Sequence, residues 1–176
     1  MTQFSGQFTI TKKDNLRYNF FSMRKKLAAT SVLVFVIIGT MVGFLRYAQG
    51  MPLSAAVVNA LLLAVMGTVI LIAINVITTV LRINSMYQQR KLTDFTVTFT
   101  ADQTGIHAVS SRGNSDLEWN RIFAVHETRN AFYIFITESY ANVMPKDQIP
   151  DARAAEAFRA LLVEHVEKNR LKIKAA

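Results

Sequence analysis

Two apolar runs without a single charged residue, separated by a short connector, dominate the chain. The first covers residues 27–45 and the second residues 55–81. At about 1.5 Å of rise per residue, helices of this length cross a hydrocarbon core of about 30 Å. Because lipid offers no partners to backbone N–H and C=O groups, a segment that crosses it must pair them internally, as a helix does. The sequence therefore predicts a transmembrane α-helical hairpin.

Basic residues are concentrated beside the two runs. The segment before the first run carries six basic residues and one acidic residue, whereas the connector, residues 46–54, carries only Arg46. Lys and Arg near membrane spans favour the cytoplasmic side. We therefore expect a protein that crosses the cytoplasmic (inner) membrane twice and keeps both termini in the cytoplasm. The basic residues predicted at the inner membrane surface are Lys12, Lys13, Arg17, Arg24, Lys25, Lys26, Arg82, Arg90 and Lys91.

These basic residues have two interpretations. Each can contribute about 1 kcal/mol of attraction to an anionic leaflet, which would make anionic lipid of the bilayer a partner. The favoured interpretation is that they only set the orientation. Nucleic acid is not expected as a partner, because residues 82–176 carry thirteen basic against eleven acidic residues and no dense basic cluster. The chain has no cysteine, which excludes disulfides and thiolate chemistry.

Short alternating segments follow the hairpin. Residues 94–100 alternate apolar and polar side chains, which predicts a strand. Further strands are predicted over residues 106–110, 116–119, 122–127, 132–137 and 141–144. Residues 112–115 are interpreted as a hairpin turn rather than an anion-binding loop. Asp151 is the predicted N-cap of an amphipathic helix that ends near Asn169. The sequence thus predicts an α+β domain, an antiparallel meander sheet closed by a C-terminal helix.

A strand is also predicted before the hairpin. Residues 7–11 alternate, with Phe8 and Ile10 on one side. Asp14 is the predicted N-cap of a helix that leads into the first span. The predicted organisation is a strand and a basic juxtamembrane helix at 1–26, the hairpin at 27–81, a juxtamembrane linker at 82–91 and a cytoplasmic domain at 92–176.

Four small or polar residues within the spans are candidates for helix packing: Gly39, Gly43, Asn59 and Asn75. Gly39 and Gly43 form a GxxxG pattern, which lets another helix approach closely. The favoured partner is the second helix of the same hairpin, and the alternative is a homodimer through Gly39 and Gly43. Either asparagine could bridge helices through its amide. Because neither span holds an ionisable residue, a channel or transporter is not expected.

No residue pattern indicates catalysis, a cofactor or a metal site. His126 lacks the second histidine of a zinc-binding HExxH helix, and His107 and His165 have no ligand spacing. Ser110 lies near His107, but the sequence places no orienting acid beside them. We therefore expect no enzymatic activity, no catalytic residue, no metal and no cofactor. Trp119 is expected in the core rather than at a recognition surface.

Five short motifs follow one another along the chain. They are Phe99-Thr100 with Gly105-Ile106, Glu118-Trp119-Asn120-Arg121-Ile122, residues 132–136, Met144-Pro145-Lys146, and the closing helix. Taken in this order, they resemble the YcxB-like family of bacterial membrane proteins. The resemblance implies a two-helix hairpin and a cytoplasmic domain akin to pleckstrin-homology (PH) folds, to which residues 7–11 add a strand. It implies no catalytic residues.

The leading hypothesis is a non-enzymatic interaction module. Its hairpin anchors the chain, and its cytoplasmic domain binds a protein or a lipid headgroup at the inner membrane surface. An exposed strand edge could accept a peptide by strand addition. The alternative is an immunity or membrane-protection protein that acts through its transmembrane hairpin. A hydrolase within the cytoplasmic domain is a third, disfavoured hypothesis.

Overall fold

The computed structural model describes residues 3–173, which form two compact units. One unit combines the chain up to Tyr18 with the chain from Gln89 onward, and we call it the sheet domain. The other unit, Asn19–Gln88, is the hairpin. Of the predicted ranges 1–26 and 92–176, the first two and the last three residues lie outside the described part of the chain.

Two long helices carry the apolar runs. Helix α1 spans Lys12–Ala48, of which the part up to Tyr18 belongs to the sheet domain, and α2 spans Leu53–Gln88. Both extend beyond the predicted spans. Their apolar segments are long enough to cross a membrane and are only 0% and 11% buried. A soluble protein would bury such helices in its core, so this exposed apolar surface favours a lipid environment.

The two helices of the hairpin meet along a line of small residues. Ala60 and Ala64 on α2 are buried, as is Ala56 one turn earlier. A Cβ placed on Gly39 would lie 3.8 Å from the Cβ of Ala64, and one on Gly43 would lie 3.5 Å from the Cβ of Ala60. The GxxxG glycines therefore face α2 of the same hairpin, which is the interpretation favoured from the sequence. A homodimer through these glycines would have to displace the contacts.

The asparagines of α2 direct amide donors to backbone carbonyls of their own helix. Asn75 Nδ2 donates to the Leu71 carbonyl at 2.9 Å, and Asn59 Nδ2 donates to the Ala55 carbonyl at 3.3 Å. Asn59 Nδ2 also lies 3.9 Å from the sulfur of Met51. In each amide, one N–H group is therefore bonded to the carbonyl four residues earlier on its own helix.

Helix α1 begins earlier than predicted, because Thr11 rather than Asp14 is its N-cap. The Asp14 N–H donates to Thr11 Oγ1 at 3.4 Å, and the Thr11 N–H donates to Asp14 Oδ2 at 3.1 Å. This reciprocal pair is a capping box with an aspartate at the third helical position. The buried Asp14 therefore ties the first turn of α1 to the preceding strand.

The first sheet combines the strand that precedes the hairpin in sequence with three strands that follow it. Its strands, in spatial order, are β1 (Phe4–Ile10), β2 (Phe95–Ala101), β3 (Gly105–Ser110) and β4 (Gly113–Glu118). All neighbours are antiparallel. In β1 and β2, Phe4 pairs with Ala101 and Ile10 pairs with Phe95. The strand before the hairpin thus pairs along its whole length with the first strand after it.

The remaining strands form a second sheet rather than continuing one meander. Its spatial order is β7 (Ala141–Pro145), β6 (Ala131–Phe135), β5 (Ala124–Glu127) and β8 (Leu171–Lys172). A turn of 3₁₀ helix at Trp119–Arg121 separates β4 from β5, because the buried Trp119 turns the chain from one sheet to the other. Strand β8 lies parallel to β5 and was not predicted.

Helix α3 spans Ala152–His165 and packs on the core shared by both sheets. Its predicted N-cap is confirmed, since Asp151 Oδ1 accepts from the Ala154 N–H at 2.6 Å. It ends before Asn169 because the extended, buried Val166 returns the chain toward β5. The Phe158 ring lies 4.9 Å from that of Phe4 and 5.3 Å from that of Phe132, between centroids. The predicted two-helix and α+β organisation is confirmed.

Candidate functional site

The sheet domain contains a cleft of about 400 Å³ lined by residues from both sheets. Its apolar floor consists of the buried Ile10, Val97, Phe99 and Ala108, and Val143 of β7 also contributes to the lining. The volume lies near the lower end of the range of about 300–1,000 Å³ that is usual for small-molecule sites. The cleft is therefore the candidate binding site.

The floor of the cleft follows from strand periodicity. Along β2, Val97 and Phe99 are buried while Thr96 and Thr98 are exposed, because successive side chains point to opposite faces. Ala108 on β3 pairs with Phe99 on the inner face. A larger side chain at Ala108 would occupy part of this space, so the alanine helps to keep the cleft open.

Arg112, in the turn between β3 and β4, lines the cleft. Its Nη2 donates to the Thr93 carbonyl at 2.6 Å, and its guanidinium carbon lies 4.1 Å from the centroid of the Phe95 ring. Within residues 3–173, no acidic side chain lies within ion-pair distance of Arg112. One edge of the guanidinium is thus held in place, and its other donors are available to an anion.

Asn142 on β7 adds an unsatisfied donor to the lining. Its Nδ2 is shielded from solvent and has no hydrogen-bond partner among the described residues. A buried donor without a partner costs about 1–3 kcal/mol. A ligand with a hydrogen-bond acceptor would remove this cost, so Asn142 favours a ligand that is partly polar.

The start of α1 forms one wall of the cleft through Asn15 and Tyr18. The Tyr18 hydroxyl donates to the Ser139 carbonyl at 2.7 Å, and its ring lies 5.8 Å from that of Tyr133. These contacts fix the first turns of α1 against the second sheet. Tyr140, next to Ser139, also lines the cleft and is 60% exposed.

Apart from the cleft, Glu127 on β5 forms a buried ion cluster. Its side chain is fully buried, with Lys146 Nζ at 2.5 Å and Arg159 Nη2 at 2.8 Å from Oε1. Arg159 Nε also lies 3.2 Å from both carboxylate oxygens, and this hydrogen bonding raises the pKa of Arg159. Both cations face the Phe132 ring. The cluster joins β5, the end of β7 and α3, which is a structural role.

His107 on β3 lies among acidic and hydroxyl groups at the surface. Its Nδ1 is 2.7 Å from Asp116 Oδ1, and its Nε2 is 3.0 Å from Thr104 Oγ1 and 3.6 Å from Asp102 Oδ2. The hydrogen bond to Asp116 raises the pKa of His107. Thr104 donates to Asp102 Oδ1 at 2.6 Å, which lowers the pKa of Asp102. This arrangement favours a charged imidazolium, and the Thr104 hydroxyl directs its proton toward the Asp102 carboxylate rather than toward the ring.

The sequence did not reveal that Asp116 lies beside His107, because Asp116 belongs to the neighbouring strand, β4. Asp116 lies opposite His107 in the β3–β4 register, nine residues away in sequence. The correct hairpin register would have revealed it. Ser110, the neighbour considered from the sequence, instead donates to the Gly113 carbonyl at 3.0 Å.

The other aromatic candidates take structural positions. Trp119 is 7% exposed, as expected for a core residue, and its Nε1 donates to the Asp102 carbonyl at 2.9 Å. The His165 ring stacks on it at 5.0 Å, and the His126 ring meets that of Phe135 edge-on at 5.5 Å. Within the part of the chain that the structure describes, no group of three His, Asp or Glu side chains could hold a metal ion.

The basic residues predicted at the inner membrane surface are divided between the two units. Arg17, in the sheet domain, lies 3.5 Å from the Asp14 carboxylate. Arg24, in the hairpin, stacks over Phe21 at 3.9 Å from the ring centroid. The sheet domain also holds Lys12, Lys13, Arg90 and Lys91, and the hairpin also holds Lys25, Lys26 and Arg82. Contact of these residues with lipid stays a prediction.

The chain resembles known proteins in part of the sheet domain and along most of its length. Residues 101–162 match the family described as YcxB-like protein. The resemblance to the YcxB-like family is confirmed. The uncharacterized protein YcxB of Bacillus subtilis (strain 168) is 24% identical over 169 residues, which cover 94% of this chain and 90% of that protein. This alignment includes the hairpin as well as the sheet domain. No solved structure matches the chain.

The YcxB-like motifs occupy architectural positions in this structure. A Cβ on Gly105 would collide with the Leu117 carbonyl oxygen on β4, so only glycine allows the two strands to approach. Trp119 marks the turn between the sheets, and Lys146 pairs with Glu127. The cleft residues Arg112 and Asn142 lie between these motifs rather than within them.

Proposed function

We propose that this chain is a non-enzymatic, membrane-anchored binding module. Its hairpin holds it in the cytoplasmic membrane, and its sheet domain binds a protein or a lipid headgroup at the inner surface. The observation that carries the proposal is the pairing of β1 with β2 over seven residues. Because these strands flank the hairpin, both ends of the hairpin emerge on the same side of any bilayer that it crosses.

The charge distribution supports the cytoplasmic side for the sheet domain. Basic residues flank the ends of the spans that join this domain, whereas the connector at the other end carries only Arg46. The two sheets closed by α3 further support a PH-like fold. Since one fold can host many ligands, the binding role rests on the cleft and not on the fold.

The cleft is suited to binding rather than to catalysis. Its floor is apolar, and its polar lining includes Arg112 and Asn142, neither of which is paired with an acid or a base in the described residues. The titratable cluster around His107 shares no residue with the cleft lining. A site of this kind can hold and orient a ligand but has no general base at hand.

Site-specific photocrosslinking in native membranes tests the proposal. A photoreactive residue is placed at Tyr140, on the cleft, or at Val163, on α3, which are similarly exposed at 60% and 57%. We expect a discrete crosslinked product from Tyr140 only, and its loss when Ala108→Phe fills the cleft. Trp119 fluorescence verifies that the variant is folded, and Ala108→Val provides a smaller filler. Equal yields of crosslinked product from Tyr140 and Val163 would contradict the proposal. A Tyr140 product that persists in the Ala108→Phe variant would also contradict it.

A truncated variant that ends at Gln88 distinguishes the proposed binding module from a protein that acts through its hairpin alone. If the cellular effect of the protein persists in full without the sheet domain, the hairpin alone carries the function and the proposal fails. Loss of the effect, together with normal membrane insertion of the shortened chain, supports the sheet domain as the functional unit.

A further inference from the structure

We infer that the cleft binds a fatty-acid anion, with the acyl chain on the apolar floor and the carboxylate at Arg112. The inference rests on the proposed function and names the ligand class of the same site. Three features of the cleft support it: its volume, its unpaired donors and its position in the chain.

The volume and the floor suit a single acyl chain. The cleft of about 400 Å³ is small among ligand sites, and a lipid with two acyl chains would exceed it. The floor of Ile10, Val97, Phe99 and Ala108 offers no polar side chain. Burial of methylene groups on such a surface is favourable, because it removes apolar area from water.

The unpaired donors call for an anion. Arg112 is held by Thr93 through one nitrogen and has no acidic partner in the described chain. Asn142 contributes a buried Nδ2 that lacks an acceptor. A hydrocarbon would leave the buried Asn142 donor unsatisfied and would offer no charge to the exposed Arg112. A carboxylate accepts several hydrogen bonds and forms charge-assisted ones with arginine.

The position of the lining residues explains how such a ligand would reach the cleft. Asn15 and Tyr18 lie in the segment that leads into the hairpin, and Leu92 lies in the segment that leads out of it. A domain anchored through these segments stays close to a bilayer, and fatty acids partition into bilayers. The anchor would therefore raise the local concentration of the ligand.

Binding of a photoreactive palmitic acid to the full chain in phosphatidylcholine nanodiscs tests the inference. We expect saturable labelling of a peptide that contains cleft residues, competition by palmitate, and competition at least tenfold weaker by hexadecanol, which lacks the charge. Arg112→Gln should weaken binding about tenfold or more. The matched control is Arg129→Gln, which removes an exposed arginine outside the cleft and should leave binding unchanged.

Two further variants make the test independent of folding defects. Ala108→Phe should abolish labelling, and Asn142→Leu should weaken binding while raising the resistance of the domain to urea, because it removes an unsatisfied buried donor. Equal labelling of Arg112→Gln and Arg129→Gln, or hexadecanol competing as well as palmitate, would overturn the inference. If palmitate fails to bind while the Tyr140 crosslink is still lost on filling the cleft, the inference alone fails and the binding module stands.

Discussion

The ion cluster around Glu127 should contribute measurably to the stability of the sheet domain. The Glu127 side chain is fully buried, whereas Lys146 and Arg159 keep 18% and 23% of their side-chain surface exposed. Removing one partner from a fully buried ion pair costs about 3–5 kcal/mol, because the other charge is left without compensation. Here the two cations can turn toward water, so we expect Glu127→Gln to lower the free energy of unfolding by about 2–3 kcal/mol.

Urea unfolding of the full chain in detergent micelles measures this loss. Trp119 is the one tryptophan of the sequence and lies in the sheet domain, so its fluorescence reports on that domain alone. In thermal unfolding, the same loss corresponds to a decrease of about 10–20 °C in Tm. The control is Glu164→Gln, an exposed acid on α3 outside the cluster, which should change the stability by less than about 0.5 kcal/mol. If the two variants unfold alike, the cluster does not stabilise the domain and the reasoning fails.

Three other properties of the structure can be tested directly. The hydrogen bond to Asp116 raises the pKa of His107. The protonated ring therefore stabilises the domain below the unfolded-state pKa, and this stabilisation is lost as the pH rises through the folded-state pKa. Asp116→Asn should lower the His107 pKa in an NMR titration, and an unchanged pKa would contradict the pairing. Gly105→Ala should destabilise the domain by about 1–3 kcal/mol in urea unfolding, because its Cβ would collide with a carbonyl of β4; full stability would show that the strands can separate without cost. Since the chain has no cysteine, Gln49→Cys should react with an impermeant thiol reagent on intact cells and Ser139→Cys should not; reaction of Ser139→Cys would reverse the proposed orientation.

Local patterns predicted the elements of this fold well where one residue type decides the structure. The apolar runs gave both helices, and Asp151 gave the start of α3, since capping depends on contacts within a few residues. The start of α1 was misplaced because Thr11 and Asp14 cap each other, and the aspartate alone was taken as the N-cap. The strand pattern gave most strands but not their division into two sheets, which depends on the turn at Trp119.

The candidate site was much harder to predict from the sequence. Arg112 was assigned to a turn, and Asn142 to the last predicted strand, without any indication that both line one cleft. They are far apart in sequence and meet only through the packing of two sheets, which no local periodicity encodes. The packing of Gly39 and Gly43 was easier, because a helical hairpin brings its two helices together by connectivity.

The pairing of β1 with β2 makes the sheet domain dependent on residues that precede the hairpin. Phe4, Phe8 and Ile10 of β1 are 3%, 0% and 5% exposed and belong to the core. Burial of each such side chain is worth about 1.5–3 kcal/mol, so loss of β1 removes about 5–9 kcal/mol. That is comparable to the whole stability of a small domain, about 5–15 kcal/mol. A fragment of residues 89–176 should therefore not fold by itself.

A second fragment, in which residues 3–18 are joined to residues 89–176 by a long Gly/Ser linker, should fold without the hairpin. The comparison is made by amide dispersion in NMR and by cooperative unfolding followed at Trp119. If residues 89–176 alone unfold as cooperatively as the linked fragment, β1 is dispensable and the pairing does not define the domain. If only the linked fragment folds, the whole hairpin acts as the connection between two neighbouring strands. The sheet domain then cannot close until β2 has been synthesised and both ends of the hairpin lie on the same side of the membrane, which couples folding of the domain to correct insertion of its anchor.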